Sequence, residues 1–137
     1  MSVMTLAERL ADALRPLEAV RLGVVLGSTA TDTTHAGSDV DVGVLLDRDD
    51  RGTWVAIEAA LGRATARRID LIDLRRAPPQ LRFEIASHGQ LLIERLPYAW
   101  ADFKAAAMID WWDWAPTARM IHEAAIERLQ ERVSGPA

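Results

Sequence analysis

The chain has 137 residues, half of them hydrophobic, and 16 Lys and Arg against 20 Asp and Glu give a formal net charge of −4. That length suits one compact domain with a real core and is too short for two ordinary ones, while the acidity argues against a protein that holds nucleic acid by a basic surface. With no cysteine present, disulfides, thiolate metal sites and cysteine nucleophiles are excluded, and Asp, Glu and His remain as candidate metal ligands.

In chain order, Thr5-Leu6-Ala7-Glu8 has the form of a capping box, and Leu6, Leu10, Ala13, Leu14 and Leu17 follow at helical spacing. This predicts a first helix from Leu6 until Pro16 approaches. The apolar run Leu22 to Leu26 reads as a buried strand that stops at Gly27-Ser28, where backbone amides can approach an anion closely. Thr29 to Ser38 is polar, with room for a helical turn. A second strand is predicted over Val40 to Leu46, with Asp39 and Asp41 at its entrance. Strand alternation puts these two carboxylates on one face and Val40, Val42 and Val44 on the other. Asp47-Arg48-Asp49-Asp50 closes that strand as a charged loop. Thr53, Trp54, Ile57, Glu58 and Leu61 predict an amphipathic helix that stops at Gly62.

Arg67 to Leu74 alternates as a third strand and carries Asp70. Pro78-Pro79 breaks the chain, Leu81 to Ser87 reads as a short helix closed near Gly89, and Leu91-Leu92-Ile93 is an edge strand or a buried extended segment. Trp100, Phe103, Ala107, Trp111 and Trp114 form one helical stripe. Pro116 is expected to separate it from a last helix carrying Ile121, Ala125, Leu129 and Val133, with a frayed tail over Ser134 to Ala137. Strands interspersed with helices predict an α/β or α+β domain, a small mixed central sheet flanked by helices. The chain reads as a single domain over 1–137, with a core over about 20–95 and a C-terminal helical segment over about 97–133. No apolar run approaches a membrane span and the N-terminus lacks the layout of a secretory signal, so a soluble cytoplasmic protein with no membrane contact is expected.

Asp39 and Asp41 side by side repel each other unless a cation sits between them. Hard oxygen ligands suit Mg²⁺, which takes one or two carboxylates together with substrate phosphates. A calcium loop is excluded because Val42, Val44, Leu45 and Leu46 continue as a strand. Taken singly the residues have plainer readings: Gly27-Ser28 as a turn, Asp39 as a loop cap, Asp41 as an exposed strand position, Asp70 as a partner of Arg67 or Arg68. His35, His88 and His122 lie far apart and show no paired metal spacing. Arg67-Arg68 and Arg75-Arg76 read as solvated strand ends. A C-terminal helix aromatic on two faces, with Trp112 off the main stripe, has more apolar surface than a small domain easily hides, which points to a partner or to self-association.

Gly27-Ser28, ten intervening residues, Asp39-x-Asp41 and then Asp70 on a later strand resemble the signature of the polymerase-β-type nucleotidyltransferase superfamily. The Ile-Asp-Leu-Ile-Asp-Leu strand and the Gly-Gln-Leu-Leu-Ile-Glu segment before terminal helices look like minimal nucleotidyltransferases. The resemblance implies a polymerase-β-like fold and transfer of a nucleoside monophosphate, AMP from ATP or its counterpart from another nucleoside triphosphate, onto an acceptor hydroxyl. It implies that Gly27 and Ser28 hold the β- and γ-phosphates, and that Asp39, Asp41 and Asp70 are catalytic and bind metal, two Mg²⁺ ions serving the reaction. Asp70 would assist deprotonation of the acceptor. In the family context such a chain is the antitoxin of a toxin–antitoxin pair, modifying a tyrosine of a helical HEPN ribonuclease, with no direct nucleic-acid binding. A small-molecule acceptor is the variant reading. Relatives usually follow Gly-Ser with x-Ala-Arg-Gly, whereas this chain has Thr29-Ala30-Thr31-Asp32. That departure favours an alternative in which turnover is lost and the chain neutralises its partner by binding alone.

Overall fold

A computed structural model of the chain describes residues 3–26 and 39–133. The first helix, α1 (Leu6–Leu14), starts where the capping box closes: the Thr5 hydroxyl accepts from the Glu8 amide at 3.1 Å and the Glu8 carboxylate accepts from the Thr5 amide at 3.2 Å. Its Leu6, Ala7, Leu10 and Leu14 are buried. Removing the hydroxyl leaves the Glu8 amide without its side-chain acceptor, so Thr5→Ala should cost about 1 kcal/mol, read as a lower urea midpoint with an unchanged slope.

Strand β1 (Val20–Val25) begins two residues before the predicted Leu22, because Val20 already pairs with Leu46, and Arg21 forms an ion pair with Asp47 across the strands. Strand β2 (Val40–Leu46) has the predicted bounds. Helix α2 (Arg51–Thr65) is capped by the Asp50 carboxylate, which accepts from the Gly52 amide at 3.0 Å. The helix does not stop at Gly62. Ala66 adopts the left-handed closing conformation, φ 54°, and its amide donates to the Gly62 carbonyl at 2.8 Å. Strand β3 (Ile69–Asp73) is shorter than read, and α3 (Pro79–His88) starts with proline in its first turn, where no amide is needed.

Gly89 turns the chain from α3 into β4 (Gln90–Glu94): a Cβ there would stand 2.5 Å from the Ile85 carbonyl oxygen and 2.6 Å from Val24. Of the two readings of Leu91-Leu92-Ile93, the strand is the one observed. The C-terminal region corrects the sequence reading more substantially. Instead of two helices parted at Pro116, one helix of 35 residues, α4 (Ala99–Val133), runs through the proline. A proline removes one intrahelical hydrogen bond, and the strong helix formers around it, among them Ala115, Ala118, Ala124 and Ala125, carry the helix past the gap.

The sheet has the order β3-β2-β1-β4, with β1 antiparallel to β2 and β4, and β2 parallel to β3. It is the mixed four-stranded sheet with flanking helices expected of an α+β domain. One face gathers Val40, Val42, Val44 and Leu46 with Leu10 and Leu14 of α1 and Ile57 and Leu61 of α2. The other gathers Leu22, Val24 and Leu74 with Ile85 of α3 and Phe103 and Ala107 of α4. On that second side Phe83 stacks on Trp111, ring centroids 4.8 Å apart, and joins α3 to α4. Among the described residues no helix is long and apolar enough to cross a membrane.

Candidate active site

Three candidate carboxylates come together because of strand order. Val40, Val42 and Val44 are all buried on the α1–α2 side, which turns Asp41 toward the opposite face, the one it shares with Gly43 and Leu45. The parallel pairing of β2 with β3 sets Asp41 opposite Asp70 in register, between the pairs Val40–Ile69 and Val42–Leu71. Neighbouring strands lie about 4.8 Å apart, so the two carboxylates are adjacent by construction. Asp39 lies just outside the strand, two residues before Asp41, and is exposed, whereas Asp41 and Asp70 are partly buried.

The backbone holds this corner from both sides. The Val40 amide donates to the Arg68 carbonyl at 2.9 Å, and the Leu26 amide donates to the Asp41 carbonyl at 3.0 Å. Leu26, the last described residue before Gly27-Ser28 in sequence, is thus tied directly to a carboxylate residue. Gly27, Ser28, Thr31, Asp32 and His35 themselves lie outside the described residues.

Electrostatically the corner is strained by its own charge. Burial raises the Asp41 carboxyl above the ordinary carboxylate range, and the negative charges of Asp70 and then Asp39 push it further in the same direction. Clustered carboxylate oxygens are the donor chemistry of a hard-cation site, and Mg²⁺ is the cation such a set would suit. Among the described residues no three His, Asp or Glu side chains close into a finished metal cluster.

The other titratable candidates fall elsewhere. His88 stands 3.7 Å from Glu84 on exposed α3, His122 lies on the outer half of α4, and Arg76 pairs with Asp49 and Asp73 at the far end of β3. Arg75 donates to the Leu46 carbonyl at 3.2 Å, which makes it part of the scaffold. Sequence reasoning passed over Gly43. A Cβ at this position would meet Leu74 at 2.6 Å, so the glycine lets Leu74 close over β2 beside Asp41. Its signal was the period-two series Asp41-x-Gly43-x-Leu45.

Comparison with known proteins adds the lineage. No curated protein matches the chain in sequence. The fold is similar to a toxin–antitoxin crystal structure with AMP-PNP, 21% identical with a TM-score of 0.74, covering 88% of this chain and 98% of that one. It is similar to the MntA–HepT toxin–antitoxin structure, at 18% identity and a TM-score of 0.69 over 88% of this chain and 97% of that one. A third likeness is to the structure of a tri-AMPylated Shewanella oneidensis HEPN toxin in complex with MNT antitoxin, at 19% identity and a TM-score of 0.70 over 88% and 96% of the two chains. The family model described as polymerase beta, nucleotidyltransferase, matches residues 8–97, a span that takes in all four strands and each candidate site residue; this chain belongs to the polymerase beta nucleotidyltransferase family.

Proposed function

We propose that the chain transfers AMP from ATP to a hydroxyl of a partner protein, a tyrosine of a helical HEPN ribonuclease, and so acts as the antitoxin of a toxin–antitoxin pair. The observation that carries the reading is the in-register pair Asp41 and Asp70, with Asp39 beside it, at the corner where Leu26 leads into Gly27-Ser28. Family membership supports nucleotidyl transfer. The AMP-PNP and AMPylated-toxin complexes of structurally similar chains support the donor and the kind of acceptor. We read 1–137 as one catalytic unit working in the cytoplasm.

In the proposed reaction the acceptor hydroxyl oxygen bonds to the α-phosphorus of ATP, the bond from that phosphorus to the bridging oxygen breaks, and pyrophosphate leaves. The acceptor proton passes to Asp70, the carboxylate on the β3 side of the pair. Gly27 and Ser28 offer amides and a hydroxyl to the β- and γ-phosphates. Asp39, Asp41 and Asp70 would hold Mg²⁺, which neutralises phosphate charge and stabilises attacking and leaving oxygens. Positioning and charge stabilisation are most of what phosphoryl chemistry asks of a protein.

Incubating the chain with ATP, Mg²⁺ and the product of the neighbouring gene should add one or more AMP units to that protein, read by intact mass and placed by fragmentation on tyrosine. An unmodified partner held in a tight complex would favour neutralisation by binding alone. The exposed apolar surface of α4, with Ile121 62% and Leu129 59% accessible, is the feature that suits that second reading.

A further inference from the structure

Helix α4 has two unlike halves. Phe103 and Ala107 are its buried residues, both near its start, and Trp111 reaches α3 through Phe83. From Ala115 to Val133 the helix runs about 28 Å further, and Met120, Ile121, Ile126, Leu129 and Val133 are exposed. At 3.6 residues per turn, Trp111, Trp114, Ala118, Ile121, Ala125 and Leu129 fall within an arc of about 80°, and Pro116 lies on the opposite side of the helix. The stripe that packs on α3 therefore continues unbroken onto the outer half. There it lines a groove of about 590 Å³, shared with Gln80 and bordered by Arg119 and His122, which gives way to a hollow at Ile126, Leu129 and Val133.

The charged residues nearest this stripe on the outer half are arginines. By the same helical phase, Arg128 and His122 border it on either side, Arg132 closes its end, and Arg119 stands beyond His122. Glu123 and Glu127 sit on the far side of the helix, and Glu131 stands as far from the stripe as Arg119 but lines neither hollow. A chain of net charge −4 thus sets Arg119, Arg128 and Arg132 around the exposed apolar strip on the outer half of α4. A second copy packed stripe to stripe would bring arginines rather than carboxylates to these arginines.

We infer that the outer half of α4 is the docking surface for an apolar helical surface bordered by carboxylates on the acceptor protein. The inference rests on the reading that the acceptor is a protein chain. Docking there leaves the Asp39–Asp41–Asp70 corner free for the donor nucleotide, since none of these residues lines the groove.

Two synthetic amphipathic helices test it, each with a leucine seam, one bordered by glutamates and its twin by lysines, measured by fluorescence anisotropy against the full chain. The glutamate peptide should bind at least tenfold tighter. The triple variant Arg119→Glu, Arg128→Glu, Arg132→Glu should invert that order, and Leu129→Asp should abolish binding of both while circular dichroism and ATP affinity stay unchanged. With the product of the neighbouring gene as acceptor, Leu129→Asp should raise its KM at least tenfold with little change in kcat. Equal affinity for the two peptides would overturn the inference, as would a wild-type dimer in sedimentation that Leu129→Asp disperses. Absence of AMP transfer by the wild-type chain would count against the enzymatic reading instead, leaving the peptide preference to stand or fall by itself.

Discussion

Asp41→Asn is expected to lower the rate of AMP transfer about a thousandfold, which corresponds to about 4 kcal/mol of transition-state stabilisation, while raising the melting temperature of the cation-free protein at pH 7. The two effects have one origin. Burial, then the charge of Asp70, then that of Asp39, hold the Asp41 carboxyl above the ordinary range. The folded chain therefore binds that proton more tightly than the unfolded chain does. Stability from this source is complete below the ordinary carboxylate range and is lost as pH rises through the raised value, so at neutral pH an ionised Asp41 burdens the fold.

Asparagine keeps the shape and removes the charge. Calorimetry in EDTA should show the variant melting above wild type at pH 7, with the gap closing toward acid as wild-type Asp41 takes up its proton. Adding Mg²⁺ should raise the wild-type melting temperature more than that of the variant, because binding to the folded state stabilises it by mass action. An Asp41→Asn chain that transfers AMP at the wild-type rate would contradict the assignment.

The second large effect is structural and sits far from the site in sequence. Arg95→Met should cost about 3 kcal/mol, measured by urea unfolding. Arg95 follows β4, its own amide donating to the Arg21 carbonyl at 2.8 Å. Its guanidinium donates to the carbonyls of Leu17 at 2.5 Å, Val20 at 2.8 Å and Leu14 at 3.4 Å, and also to that of Arg15. One side chain thus adds charge-assisted hydrogen bonds to carbonyls at the C-terminal end of α1 and in the turn leading to β1, at the helix end where a cation is favoured. Methionine preserves much of the apolar stem but removes four guanidinium hydrogen bonds, leaving the Leu14 and Leu17 carbonyls only the backbone amides of Leu17 and Val20. Arg95→Lys keeps the charge without the planar fork and should recover only part of the loss.

How far the sequence exposed this fold depended on whether the deciding contact was local. The capping box at Thr5 and Glu8 and the bounds of β2 were legible because a short run carries both the apolar pattern and its terminators. Gly62 misled because glycine commonly ends helices, yet Ala66 took the left-handed position and the helix went on for three more residues. Pro116 misled in the same direction: a lost hydrogen bond is a cost, and a 35-residue helix built largely of good helix formers bears it. The role of Arg95 had no local signal, since its partners, from Leu14 to Val20, lie 75 to 81 residues away. At the site, alternation put Asp39 and Asp41 on one face. The register that sets Asp41 against Asp70 depends on a non-local parallel pairing, which no window of sequence reports. The family resemblance supplied that link in advance, and the strand order supplies its physical basis.

In the proposed reaction Asp39, Asp41 and Asp70 make a cation-dependent donor site for a nucleoside triphosphate. Isothermal titration of ATP into the full chain tests it most directly, in Mg²⁺ and in EDTA, for wild type and for the Asp39→Asn, Asp41→Asn double variant. One ATP per wild-type chain in Mg²⁺, with affinity reduced at least tenfold by EDTA and by the double substitution, is the predicted result. Binding of equal strength in all four titrations would contradict it.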